Sequence, residues 1–295
     1  MTRALAPLIT PLLLIALAPG VAGAVSSYSK CAALVEKDAE RARNAAVDWY
    51  EATGALGALH CEAMALSAQG ANRTAAEKLE ALAGAPELAP EEAAAVRVQA
   101  ARLYRAEGDD AGATAALAPA LAPALGAAAA PAYVERATIR GGAGDWTGAR
   151  ADLDTALRLR PGDAEALALR AAARRLSGDT AGGRADAEAA VAADAVHAPG
   201  WFELGMAARA RGDETEARRA WLAAIEAQPD TQAAQMARAA LQEMDAPSST
   251  AAPAPSARVT APEPVAEPRS EVRAEPDPEP KPEPARTPKP QRIDR

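Results

Sequence analysis

Aromatic side chains are scarce in this 295-residue sequence: four Trp, four Tyr and one Phe make up 3% of it, although 49% is hydrophobic. Sheets draw on β-branched and aromatic residues, so a core made largely of Ala and Leu excludes a large sheet and points to helices crossing closely at small side chains. Histidine is scarcer still, with only His60 and His197. Two isolated histidines and no nucleophile elbow supply no constellation for acid–base or acyl-transfer chemistry, so no enzymatic activity and no catalytic residue is expected. Cysteine is limited to Cys31 and Cys61, which rules out Cys-x-x-Cys-His haem attachment and the paired doublets of a zinc site. His60, Cys61 and Met64 are poor metal ligands as a set, because neighbours on a helix diverge by about 100° and no second histidine lies nearby. They read as a packed helix face. No metal and no cofactor is expected, and the glycine cluster Gly141-Gly142-Ala143-Gly144 fits an inter-helix turn better than a phosphate cradle.

Net positive charge is also lacking. The chain carries 32 Lys and Arg against 40 Asp and Glu, a formal charge of −8. Such a balance opposes nucleic acid as a partner, since phosphate neutralisation needs a net basic face, and opposes unassisted binding to anionic lipid. Residues after Asp245 hold eight acids and eight bases, so the negative balance falls on the region before them.

Long apolar runs are absent except near the start. Arg3 supplies a positive n-region, Leu8 to Ala18 an apolar h-region, and Ala22-Gly23-Ala24 a small-x-small cleavage pattern. Residues 1–24 are therefore expected to be a signal peptide cleaved near Ala24. The apolar run is well short of the roughly 20 residues of a spanning helix, so no membrane insertion is expected after cleavage. This reading places the protein in the periplasm or outside the cell. There the two cysteines favour a Cys31–Cys61 disulfide over two buried thiols, closing a loop worth roughly 3 kcal/mol.

What is abundant is repetition. Gly-Asp recurs at Gly108-Asp109, Gly144-Asp145, Gly178-Asp179 and Gly212-Asp213, at intervals of 36, 34 and 34 residues. Each pair separates two Ala-rich amphipathic stretches, where Gly can end one helix in the left-handed conformation and Asp can cap the next. Gly162-Asp163, out of phase and after Pro161, fits a junction between repeats. Around the last turn stand Trp201, Leu204, Gly205, Gly212, Ala217, Trp221, Ala224 and Pro229, and around Gly144 stand Tyr133, Ala137, Ala149, Leu153, Ala156 and Pro161. Segment 164–197 keeps Leu167, Ala171, Gly178 and Ala190 but has Gly183, Ala187 and Ala195 where Ala, an aromatic and Pro are usual.

These motifs resemble the tetratricopeptide repeat, specifically in the last three repeats and by periodicity in the first three. The expected fold is all-α: a right-handed superhelical solenoid of antiparallel helix pairs over 25–245. Its approximate repeats are 28–54, 56–89, 94–127, 130–163, 164–197 and 198–231, followed by a capping helix at 231–244 with a polar outer face. The family resemblance implies a concave face, lined by first helices, that binds peptides or protein segments, and it implies no reaction. Aligning repeats on their turn glycines puts Val98, Arg102 and Arg105, then Val134, Thr138 and Gly141, then Ala168, Ala172 and Arg175, then Phe202, Met206 and Arg209 on that face. The expected peptide-binding groove has an apolar floor and an arginine edge. The Lys and Asn clamp for a terminal carboxylate found in chaperone-adaptor members is missing.

Thirteen of the 24 prolines lie between Pro247 and Pro290. Residues 246–295 read as a disordered Pro/Glu-rich tail, whose run from Glu275 to Pro284 favours a polyproline II spacer of about 31 Å. The leading expectation is a monomeric periplasmic scaffold that holds a protein or peptide partner in its groove. Alternatives are an envelope spacer in which the tail does the interacting, and an accessory factor of envelope or cytochrome biogenesis.

Overall fold

The computed structural model describes residues 25–246, and the expected leader and Pro-rich tail lie outside them. The described residues form thirteen α-helices and no strand. Six antiparallel pairs follow in order: α1 (Tyr28–Val35) with α2 (Ala39–Thr53), α3 (Leu56–Ala68) with α4 (Asn72–Ala83), α5 (Pro90–Ala106) with α6 (Asp110–Leu117), α7 (Ala130–Gly142) with α8 (Trp146–Leu159), α9 (Ala164–Leu176) with α10 (Thr180–Ala193), and α11 (Ala198–Ala210) with α12 (Glu214–Ala227). A last helix, α13 (Gln232–Asp245), packs on both α11 and α12. The expected all-α solenoid of helix pairs is what the chain forms. No single helix among the described residues is long and apolar enough to cross a membrane.

The Gly-Asp turns act as the sequence implies, with one economy. Gly108, Gly144, Gly178 and Gly212 sit at φ of 75°, 79°, 93° and 77°, where a side chain is strained. The aspartate that follows does two jobs. Its backbone N–H reaches back to the last turn of the first helix, as Asp109 does to the Tyr104 carbonyl at 2.9 Å, while its carboxylate opens the second helix by accepting from Gly112 N–H at 2.8 Å. Asp145 and Asp179 repeat this on Gly148 and Gly182, and Asp213 repeats it on Glu216.

The third pair departs from the period. Helix α6 stops after 8 residues, and two 3-10 segments, Ala118–Leu121 and Pro123–Ala129, carry the chain to α7. Pro119 and Pro123 lack the N–H that an α-helix would need there.

Small residues set the helix spacing. A Cβ at Gly183 would stand 2.9 Å from the Ala171 carbonyl, and one at Gly205 would run into the Trp221 indole, which is fully buried. Between the helices of the last five pairs, residues eight before and eight after the turn glycine face one another, and their chemistry varies. They are Glu62 and Lys78, Ala100 and Ala116, Arg136 and Asp152, Arg170 and Asp186, and Leu204 and Ala220. Lys78 bridges Glu62 at 3.0 Å, whereas Arg136 and Arg170 each grip their aspartate with two nitrogens. Asp152 and Asp186 also take a second guanidinium, from Arg140 at 2.8 Å and Arg174 at 3.0 Å. The two aspartates are buried, and a buried carboxylate is tolerated only with such partners.

At the N-terminal end Cys31 on α1 is bonded to Cys61 on α3, with Cα atoms 6.2 Å apart and both residues fully buried. The bond ties first helices of successive pairs.

Candidate functional site

First helices α3, α5, α7, α9 and α11 carry the face on which the groove was expected. Its predicted residues meet three fates. Val98, Ala168 and Phe202 point into the stack and are buried, Phe202 packing among Ala198, Trp221 and Ala237, the last on α13. Val134 is half-buried beside the core around Ala137 and Leu153, and Met206 beside that of Phe202. Thr138 and Ala172 line an open cleft together with Arg105 and Gly141.

The arginines form a pattern that the alignment did not show. Arg105 and Arg175 bind an acid on the next first helix, and Arg209 binds one on α13. Arg105 donates Nε to Glu135 Oε1 at 2.8 Å, Arg175 donates Nε and Nη2 to the two oxygens of Glu203 at 2.9 and 3.1 Å, and Arg209 donates Nη1 to Glu243 on α13 at 3.0 Å. Glu135 and Glu203 occupy one repeat position, nine residues before the turn glycine, and both are buried. Arg102 adds a second cation to Glu135, Nε to Oε2 at 2.9 Å. The expected cationic edge is therefore largely a row of braces between repeats. At the exposed last member, the Arg209 hydrogen bond holds the Glu243 carboxyl below its usual range.

Two junctions lack the brace. Between α7 and α9 the two positions are Gly141 and Leu169, and between α3 and α5 they are Ser67 and Gln99. Clefts open at both. The first, of about 460 Å³, is lined by Thr138, Ile139, Gly141, Trp146, Leu153, Leu169 and Ala172 with Arg105 and Asp110 at the rim. The second, of about 430 Å³, is lined by His60, Ala63, Met64, Leu79, Leu103 and Arg102. There Gln99 turns to His60, Oε1 to Nε2 at 2.6 Å, and Ser67 Oγ donates to Asn72 Oδ1 at 3.1 Å. A third hollow, of about 480 Å³, lies at the other end of the α5/α7 junction, over Val98, Arg102 and Pro131. No group of three or more His, Cys, Asp and Glu suited to a metal ion occurs among the described residues.

Neither the known protein-family models nor the curated proteins contain a match to this sequence. Solved structures do match in shape. PilF of Pseudomonas aeruginosa aligns with a TM-score of 0.56 at 12% identity, covering 72% of this chain and 95% of that one. PilW, a type IV pilus biogenesis factor, aligns at 0.55 and 16%, covering 71% and 95%. A tetratricopeptide repeat protein of Parabacteroides merdae aligns at 0.52 and 14%, covering 71% and 82%. The fold of this chain is that of the tetratricopeptide-repeat solenoid.

Within that tetratricopeptide-repeat solenoid, sequence reasoning missed the acids rather than the arginines. Glu135 and Glu203 recur at one offset from the turn glycine, so aligning acids as well as bases would have exposed the braces. Trp146, which overlies Gly141 with its six-membered ring, was missed because it opens a second helix, outside the first-helix alignment.

Proposed function

We propose that this chain is a non-enzymatic, exported scaffold whose concave first-helix face holds a segment of another protein. The observation that carries the reading is the pair of clefts on that face, at the α3/α5 and α7/α9 junctions, where the inter-repeat brace is replaced by Ser67 with Gln99 and by Gly141 with Leu169. Hollows with apolar floors and a few polar groups at the rim suit an extended peptide. Their rims carry the cations Arg102 and Arg105. The likeness in shape to PilW, a pilus biogenesis factor, supports an assembly role in the envelope, and the signal-like residues 1–24 support export.

A photo-cross-linking amino acid placed in living cells at Thr138 or Met206, on the first helices, should capture a defined envelope protein. The same probe at Arg150, exposed on α8, should not. Capture from positions after residue 246 alone would move the function from the face to the Pro-rich segment.

A further inference from the structure

Resting on that reading, we infer that the α7/α9 junction is the recognition centre of the face, and that it takes an extended peptide segment in which a bulky apolar side chain stands beside a carboxylate. At the α5/α7 and α9/α11 junctions an arginine three residues before the turn glycine meets a buried glutamate of the next first helix. At α7/α9 both members are replaced together, by Gly141 and Leu169, so neither an acid nor a cation is stranded. The double replacement leaves an apolar cleft.

Gly141 is not there for the sake of the backbone. It lies inside α7 without a positive φ, and a Cβ added to it would touch only the Trp146 ring, at 3.4 Å, an ordinary contact. Glycine favours a helix less than alanine does, so at this last-turn position, where a side chain has room, it leaves space. The space is walled by Trp146, Leu153 and Leu169 and has room for a large apolar side chain.

Charge selects the rest of the ligand. Arg102 and Arg105 share the two oxygens of one glutamate, Glu135, so this part of the face holds two cations against one buried acid. The terminal Nη groups of both arginines make no hydrogen bond among the described residues, whereas Arg175 spends two nitrogens on Glu203. Asp110 is the acid on the cleft rim. It stands in the first turn of α6, where the free amides of the helix start offset a negative charge. Free guanidinium donors at the mouth of an apolar cleft bind a carboxylate by charge-assisted hydrogen bonds that water would otherwise take.

The probe is a phage-displayed library of random linear dodecapeptides panned on the purified chain. Enriched sequences are expected to carry Asp or Glu next to Leu, Ile, Phe or Met. Their affinity should fall at least tenfold when Gly141→Arg and Leu169→Glu install the missing brace, and again with Arg105→Gln. Arg218→Gln, on α12, should leave affinity unchanged. Gly141→Leu, which fills the cleft without new charge, should act like the brace and serves if the double variant does not fold. Enriched peptides that bind both cleft variants like the parent, yet block cross-linking from Met206, would overturn this inference and leave the face reading standing. Enriched peptides without an acid would also overturn it. A library that yields no binder would overturn both.

Discussion

The junction between α1 and α3 and the junction between α9 and α11 perform the same task, fixing one first helix to the next, with different chemistry. At the N-terminal end the link is covalent, Cys31 to Cys61, and at α9/α11 it is the two-pronged pair of Arg175 with Glu203. Helix length differs between the two junctions. Helix α1 has 8 residues and no side-chain cap, too short to bury a brace and still form independently. Helices α9 and α11 have 13 each, with Asp163 and His197 capping them. A covalent link thus holds the short, uncapped helix, and an ionic one joins two longer, capped helices.

Breaking the ionic junction should have the largest effect. Arg175→Ala leaves the buried Glu203 without its partner, and loss of one member of a buried pair typically costs about 3 to 5 kcal/mol, which chemical denaturation followed by circular dichroism would read. Removing the covalent junction comes next. Cys31→Ser with Cys61→Ser should cost about 3 kcal/mol, with amide exchange rising in α1 and α2 and little changed beyond α7. Equal loss of protection along the whole solenoid would mean that the two ends are not separately held. The smallest effect belongs to the exposed pairs at the C-terminal end. Their guanidinium partners hold Glu243 and Asp245 below the usual carboxylate range. A carboxylate with a lowered folded-state pKa contributes stability above its unfolded value, and that contribution is lost as pH falls through the lowered one. Protection factors in α13 should therefore drop below about pH 4 while those of α11 hold, and Arg209→Gln should remove part of that pH dependence.

Much of the fold was legible because its punctuation is local. A glycine at positive φ followed by a capping aspartate is written in two adjacent residues, and four such turns locate the helix pairs they join. The disulfide partners were legible because there are two cysteines and both fall on first helices. The shortened α6 was not, although Pro119 and Pro123 were in view, because residues 94–127 read as one full repeat. The candidate face was half legible. A first helix in a stacked array touches its own partner, the next repeat and the open face, and residues three or four apart straddle these surroundings. Apolar character alone cannot tell Phe202, which packs under α13, from Ala172, which lines a cleft. The gap between α7 and α9 depended on noticing two residues that had changed together, Gly141 and Leu169, in positions 28 apart.

The facing positions within each pair bear on how a chain of similar helices avoids assembling in the wrong order. If the first helix of the fourth pair folded against the second helix of the second pair, Arg136 would meet Lys78, and the reverse exchange would set Glu62 against Asp152. Like charges brought together in a buried seam penalise both mistakes, so the reversed sign in the second pair marks its helices as partners for each other. The fourth and fifth pairs carry no such mark. Both set arginine against aspartate, with a second arginine four residues on, so α7 with α10 or α9 with α8 would satisfy every charge in the seam. There correct order rests on the tight Gly144-Asp145 and Gly178-Asp179 turns rather than on recognition between helices, and lengthening them would let two assemblies of the same sequence compete.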